Sequence, residues 1–139
     1  MINFKQYTNV TRIVIPNNIR LSTNNFSSVF YNMQNLLYSE FNHKNVVNIG
    51  RAYYNCRNII SSPACSNNII NMSYTYRDCY NLTGVPICGD NVRALSGTYM
   101  NCYNLTGSPV CGNNVTGMHS AYWGCNNLTG NPVCGPNVV

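Results

Sequence analysis

Carboxylates are almost missing from this chain: three Asp and Glu stand against eight Lys and Arg in 139 residues. Charged side chains make up 8%, where a soluble domain usually carries about 25%. Residues 94–139 hold none of either sign. Small soluble domains ordinarily keep both signs on their surface, so the uncharged stretch favours a component of an assembly in which subunits shield one another. Paired acids, a Ser-His-Asp order and a phosphate loop are lacking as well. Glu40, Asp78 and Asp90 stand apart, and His43 and His119 are the two histidines, the side chain best suited to proton chemistry near neutrality. No enzymatic activity is expected, and no metal or cofactor.

Long apolar runs are also absent. None approaches the roughly 20 residues a membrane span requires, so no membrane insertion is expected. The opening MINFKQYTNVTRIVIPNNIR has no apolar core of about 7–15 residues and no small-residue cleavage site. No secretory signal is expected there, which points to synthesis in a cytoplasm. As far as Arg57, the cations Lys5, Arg12, Arg20, Lys44, Arg51 and Arg57 oppose Glu40 alone. A nucleic-acid surface gathers its cations on one face among aromatics, whereas these scatter along the chain, so no nucleic-acid partner is expected.

What the chain has instead is a period. Tyr7, Phe30, Tyr53, Tyr76, Tyr99 and Tyr122 follow one another at a constant 23-residue interval. Three residues on come Val10, Met33, Cys56, Cys79, Cys102 and Cys125, and three further on Ile13, Leu36, Ile59, Leu82, Leu105 and Leu128. Self-similarity at about 20–50 residues marks a solenoid, whose usual work is binding or building. Six periods predict one solenoid domain over 1–139, with repeats near 2–24, 25–47, 48–70, 71–93, 94–116 and 117–139. The first two are degenerate, charged and free of cysteine, as a polar cap would be.

Within one period, Met72, Tyr76, Cys79 and Leu82 fall at spacings that suit a helical or 3₁₀ turn with one face inward. Thr83-Gly84 reads as a turn, Val85-Pro86-Ile87-Cys88 as a short extended segment, and Gly89-Asp90-Asn91 as a second turn. Stacked in register, such coils pair their short strands into a parallel sheet at about 4.8 Å per step. The expected fold is therefore a repeat solenoid with a short parallel β-sheet on one face and turns or 3₁₀ helix on the other. The 26 asparagines fall into columns too, notably Asn35, Asn58, Asn81, Asn104 and Asn127, and Asn45, Asn68, Asn91, Asn114 and Asn137. Asn tolerates left-handed backbone and bonds its own turn, so these read as structural positions, able also to form ladders along the axis.

Ile49-Gly50-Arg51-Ala52-Tyr53-Tyr54-Asn55-Cys56-Arg57-Asn58-Ile59, together with Ile13-Val14-Ile15-Pro16-Asn17-Asn18-Ile19, resembles the BspA-like leucine-rich repeat, whose 23-residue unit runs C-x-x-L-x-x-I-x-I-P-x-x-V-x-x-I-G-x-x-A-F-x-x-C. The resemblance extends over essentially the whole chain. It departs in the later repeats, where Gly84-Val85-Pro86-Ile87-Cys88 places proline early and cysteine where the family has proline. It implies a right-handed leucine-rich-repeat coil and a non-enzymatic role in attachment, adhesion or protein binding, as on bacterial and parasite surfaces and in some phage and viral proteins.

All eight cysteines obey the period, as Cys56, Cys79, Cys102 and Cys125 and, nine residues later, Cys65, Cys88, Cys111 and Cys134. Three readings compete: buried free thiols acting as small apolar groups, a disulfide ladder, and a zinc or iron–sulfur site. The first is preferred. Val10 and Met33 share the first column, no export signal indicates an oxidising compartment, and a C-x₈-C ladder does not converge four ligands on one point.

Function is expected at two places. One is the strand face, with Pro86, Cys88, Pro109, Cys111, Pro132 and Cys134 among its outward side chains. The other is an uncapped C-terminal coil, where Leu128, Val133, Val138 and Val139 and unpaired strand groups offer a template for further pairing. A protein partner or another copy of the chain is expected there. The reading is an attachment protein incorporated in a virion, such as a phage, or in a surface appendage; the rival is an intracellular module that binds one protein through its strand face.

Overall fold

A computed structural model of the chain describes Phe4, residues 6–61 and residues 66–139. Lys5 and Cys65, both singled out in the sequence, lie outside the described residues.

On one face the backbone amides divide their hydrogen bonds between two directions in alternation. Ile49, Arg51, Tyr53 and Asn55 donate to the carbonyls of Asn71, Ser73, Thr75 and Arg77, at 2.8–3.0 Å. The amides of Ala52, Tyr54 and Cys56 instead close turns onto Ile49, Arg51 and Tyr53, three residues back. The same scheme recurs from Met72, Tyr74, Tyr76 and Asp78 to Ala94, Ser96, Thr98 and Met100, and again from Leu95, Gly97, Tyr99 and Asn101 to Gly117, His119, Ala121 and Trp123.

A 3₁₀ helix spends every amide on its own turn. Diverting alternate amides sideways makes the backbone swing through left-handed geometry twice per repeat. It does so at Ser28, Arg51, Tyr74, Gly97 and Ser120, and at Asn32, Asn55, Asp78, Asn101 and Gly124, with φ between 53° and 80°. The second set is Asn, Asp or Gly, the types that tolerate this geometry. The first set includes Arg and Tyr, so lateral bonds must hold it there. This face therefore carries linked turns, and no helix occurs among the described residues.

Across the period, two strands form among the described residues: Arg12–Ile15 (β1) and Tyr38–Phe41 (β2), paired in parallel with Arg12 opposite Tyr38. Among the described residues, later segments meet only at single parallel bridges, such as Ile87 with Val110 and Val110 with Val133. Proline explains the interruption. Pro86 and Pro109 accept from the Val110 and Val133 amides at 3.0 Å but have no N–H to return.

Register in the first repeat differs from the 23-residue columns. The pairing of Arg12 with Tyr38 is a 26-residue step, and Phe4, not Tyr7, packs its ring against Phe30, tilted, with centroids 5.5 Å apart. Tyr7 is 50% exposed. The added length lies between Val10 and Phe26, which in this register answer to Leu36 and Ile49. From Phe30 onward the aromatic column runs through the core: Phe30–Tyr53, Tyr53–Tyr76, Tyr76–Tyr99 and Tyr99–Tyr122 stack at 5.1–5.6 Å. Leu36, Ile59, Leu82 and Leu105 are buried beside it. Two buried hydroxyls are satisfied locally: Thr75 donates to the carbonyls of Ile49 and Met72, and Thr98 to those of Met72 and Leu95. Within the two asparagine columns the side chains mostly reach back to the preceding repeat's backbone, as Asn58 Nδ2 to Gln34 O at 2.8 Å and Asn91 Nδ2 to Asn67 O at 2.6 Å.

Candidate functional site

Val85-Pro86-Ile87-Cys88 is extended and alternates sides, as a strand must. The parity is opposite to the sequence expectation. Pro86 and Pro109 are buried, and Cys88 and Cys111 are 6% and 7% exposed. The outward side chains are Ile87 at 61%, Val110 at 45% and Val133 at 64%, with Val85 beside them. A shift of one residue moves every side chain to the other face. Here all four positions are apolar, so hydrophobicity alone does not choose. The compact thiol does: Cys111 Sγ lies 3.4 Å from Tyr122 Oη, and Cys88 Sγ donates to Val110 O at 3.3 Å.

At the C-terminal coil, Pro132 is exposed and Cys134 half-buried, its Sγ 3.3 Å from Cys111 Sγ and 3.5 Å from Met118 Sδ. Val138 packs against the core, while Val139 is exposed and its amide donates to Thr116 O at 3.2 Å. The structure thus brings Ile87, Val110 and Val133 into one outward apolar column, and it turns Cys88, Cys111 and Cys134 inward behind them.

The first cysteine column has a role that sequence reading missed. Cys56, Cys79, Cys102 and Cys125 donate from Sγ to the carbonyls of Phe30, Tyr53, Tyr76 and Tyr99, at 2.9–3.0 Å. Each thiol therefore ties one repeat to the aromatic residue of the repeat before. Burial pushes the Cys56 thiol up to about 12 and the Cys79 and Cys102 thiols well above 9.0. No disulfide joins two of the described cysteines, and among the described residues no group of three His, Cys, Asp or Glu is placed to hold a metal ion.

His43 is buried and spends both ring nitrogens on backbone: Nδ1 accepts from Asn45 N–H at 3.3 Å, which leaves Nε2 to donate to Ile19 O at 3.0 Å. It braces two loops. His119 is exposed. No described helix is long and apolar enough to cross a membrane.

Among the described residues, two of the surface grooves run across successive repeats. One, of about 660 Å³, runs past Lys44, Arg93 and the column Asn45, Asn68, Asn91 and Asn114. The amides of Asn68, Asn91 and Asn114 are committed to the carbonyls of Lys44, Asn67 and Asp90, so its floor is largely self-satisfied. The other, of about 440 Å³, is lined by Ser28, Tyr31, Arg51, Tyr54, Tyr74 and Arg77. No protein-family model, curated protein or solved structure matches the chain.

Proposed function

We propose that the chain is a non-enzymatic attachment protein, a six-repeat solenoid of the BspA-like leucine-rich-repeat type that works by binding protein. The observation that carries this reading is the outward column of Ile87, Val110 and Val133, flanked by Val85. Contiguous exposed apolar surface marks interaction sites, and two members of the column lie in the uncharged stretch 94–139. Such a surface repels no similar surface, so another copy of the chain is the first partner to test. The solenoid reading is supported by one lateral amide-to-carbonyl step that recurs in constant phase from Phe26 to Asn101.

Light scattering of the purified chain tests the proposal. The native protein should associate at micromolar concentration, and the triple variant Ile87→Asp, Val110→Asp, Val133→Asp should be monomeric with an unchanged circular dichroism spectrum. A native chain that stays monomeric throughout would remove self-assembly.

A further inference from the structure

The smaller groove sets two arginines and two tyrosines crosswise. Arg51 and Tyr54 belong to one repeat, Tyr74 and Arg77 to the next, so each cation faces a ring across the repeat boundary. Arg51 Cζ lies 5.5 Å from the Tyr74 ring centroid, and Arg77 Cζ lies 5.4 Å from that of Tyr54 and 5.8 Å from that of Tyr74. Tyr31 backs Tyr54 at 5.2 Å. The Tyr74 ring lies over Gly97, where a Cβ would come within 2.5 Å of it.

Charge in this groove is unbalanced. Of the three carboxylates, Glu40 pairs with Arg12. Asp78 reaches Arg77 Nε only at 3.6 Å, while its Oδ1 accepts from Asn101 Nδ2 at 2.7 Å. Arg51 has no carboxylate within ion-pair distance among the described residues. Arg77 Nε is buried and makes no hydrogen bond. Two guanidinium groups are thus held against aromatic rings, with one half-engaged acid beside Arg77.

We propose that this groove binds a sulfate or phosphate ester, its oxyanion held between Arg51 and Arg77. A guanidinium presents paired N–H donors in a rigid fork that matches such groups. Two forks need an acceptor with more oxygens than the two of a carboxylate, and a tetrahedral ester supplies them. Ser28 at the rim adds a hydroxyl. Nucleobases are disfavoured, because Tyr54 is engaged by Tyr31 and Arg77, and Tyr74 by Arg51, Arg77 and Gly97; base binding needs open faces.

Calorimetric titration with inorganic sulfate and inorganic phosphate tests the site. Sulfated monosaccharide, phosphoserine peptide and oligonucleotide arms follow to separate the sources. One saturable site is expected for the inorganic anions. Arg51→Gln and Arg77→Lys, the second keeping charge but losing the fork, should each weaken it about tenfold or more. Asp78→Asn, which removes the competing acid at a left-handed position that Asn tolerates, should tighten it several-fold. Arg93→Gln, with the same change in net charge as Arg51→Gln but in the other groove, should leave affinity within about twofold. Absence of saturable binding overturns the proposal, as does equal weakening by Arg93→Gln and Arg51→Gln. An oligonucleotide that binds more tightly than the esters and loses affinity with Tyr54→Leu also overturns it, in favour of a nucleic-acid surface. Should Arg77→Lys fail to fold, Arg51→Gln and Asp78→Asn still decide.

Discussion

The carbonyl oxygen of Tyr53 accepts two hydrogen bonds at 3.0 Å, from the amide of Cys56 in its own repeat and from the thiol of Cys79 in the next. The thiol bond is thus a tie between repeats rather than inert filling. Cys79→Ala removes both the donor and buried volume and should cost about 1–3 kcal/mol. Cys79→Ser keeps a donor and should cost less. Urea denaturation of the two variants checks the order, and a Ser variant as unstable as the Ala one would argue that only apolar volume matters.

Alkaline pH should loosen the chain. Burial raises the Cys56 thiol from its ordinary 9.0 to about 12, and that of Cys125 to about 11. A group whose folded value is raised contributes stability that is complete below the unfolded value and is lost as pH climbs through the folded one. The urea midpoint should hold from pH 7 to about 8.5 and then fall toward pH 11–12. Replacing Cys56 and Cys125 by Ala should flatten the decline. Of the described cysteines, a thiol reagent at pH 8 should find the half-buried Cys134 first and reach Cys79 and Cys102 only after unfolding.

Gly97 serves both backbone and groove. At φ 59° it sits where a side chain is strained, and a Cβ would strike the Tyr74 ring. Gly97→Ala should lower stability by about 1–2 kcal/mol from the left-handed geometry alone. It should also weaken anion binding by displacing Tyr74 from Arg51. Thermal melting and the sulfate titration read the two effects separately.

Neighbouring residues on the extended segment should respond in opposite ways. Val110→Lys places charge on the outward side and should stay within about 0.5 kcal/mol of the native chain. Cys111→Lys forces an ammonium beside Tyr122 and should cost several kcal/mol. Chemical denaturation of the pair checks the strand parity directly.

The core columns from Phe30 to Tyr122 were legible because each apolar side chain returns to the same place once per period. The first repeat was not. Tyr7 sits one period before Phe30, but the ring that packs against Phe30 from this repeat is Phe4, and counting cannot detect a short added stretch when aromatic rings lie at both distances. Strand parity was hidden because Val85, Pro86, Ile87 and Cys88 are all apolar. The arginine–tyrosine crossing was hidden for a different reason: Arg51 and Arg77 occupy different columns and meet only diagonally, once two repeats are laid together.

The alternating amides impose a rule on how this chain can change in length. Along the turn face each lateral bond joins backbone to backbone, so neighbouring repeats recognise one another there by phase, with the cysteine thiols and asparagine amides adding side-chain ties. Duplicating or losing one whole period within 48–116 leaves the lateral amides of the turn face opposite acceptors, whereas a shorter insertion in that face misaligns the whole row behind it. Growth by whole periods is therefore the cheap evolutionary path, and the 26-residue step in the first repeat marks the kind of place, a connection away from the lateral bonds of the turn face, where other lengths are absorbed.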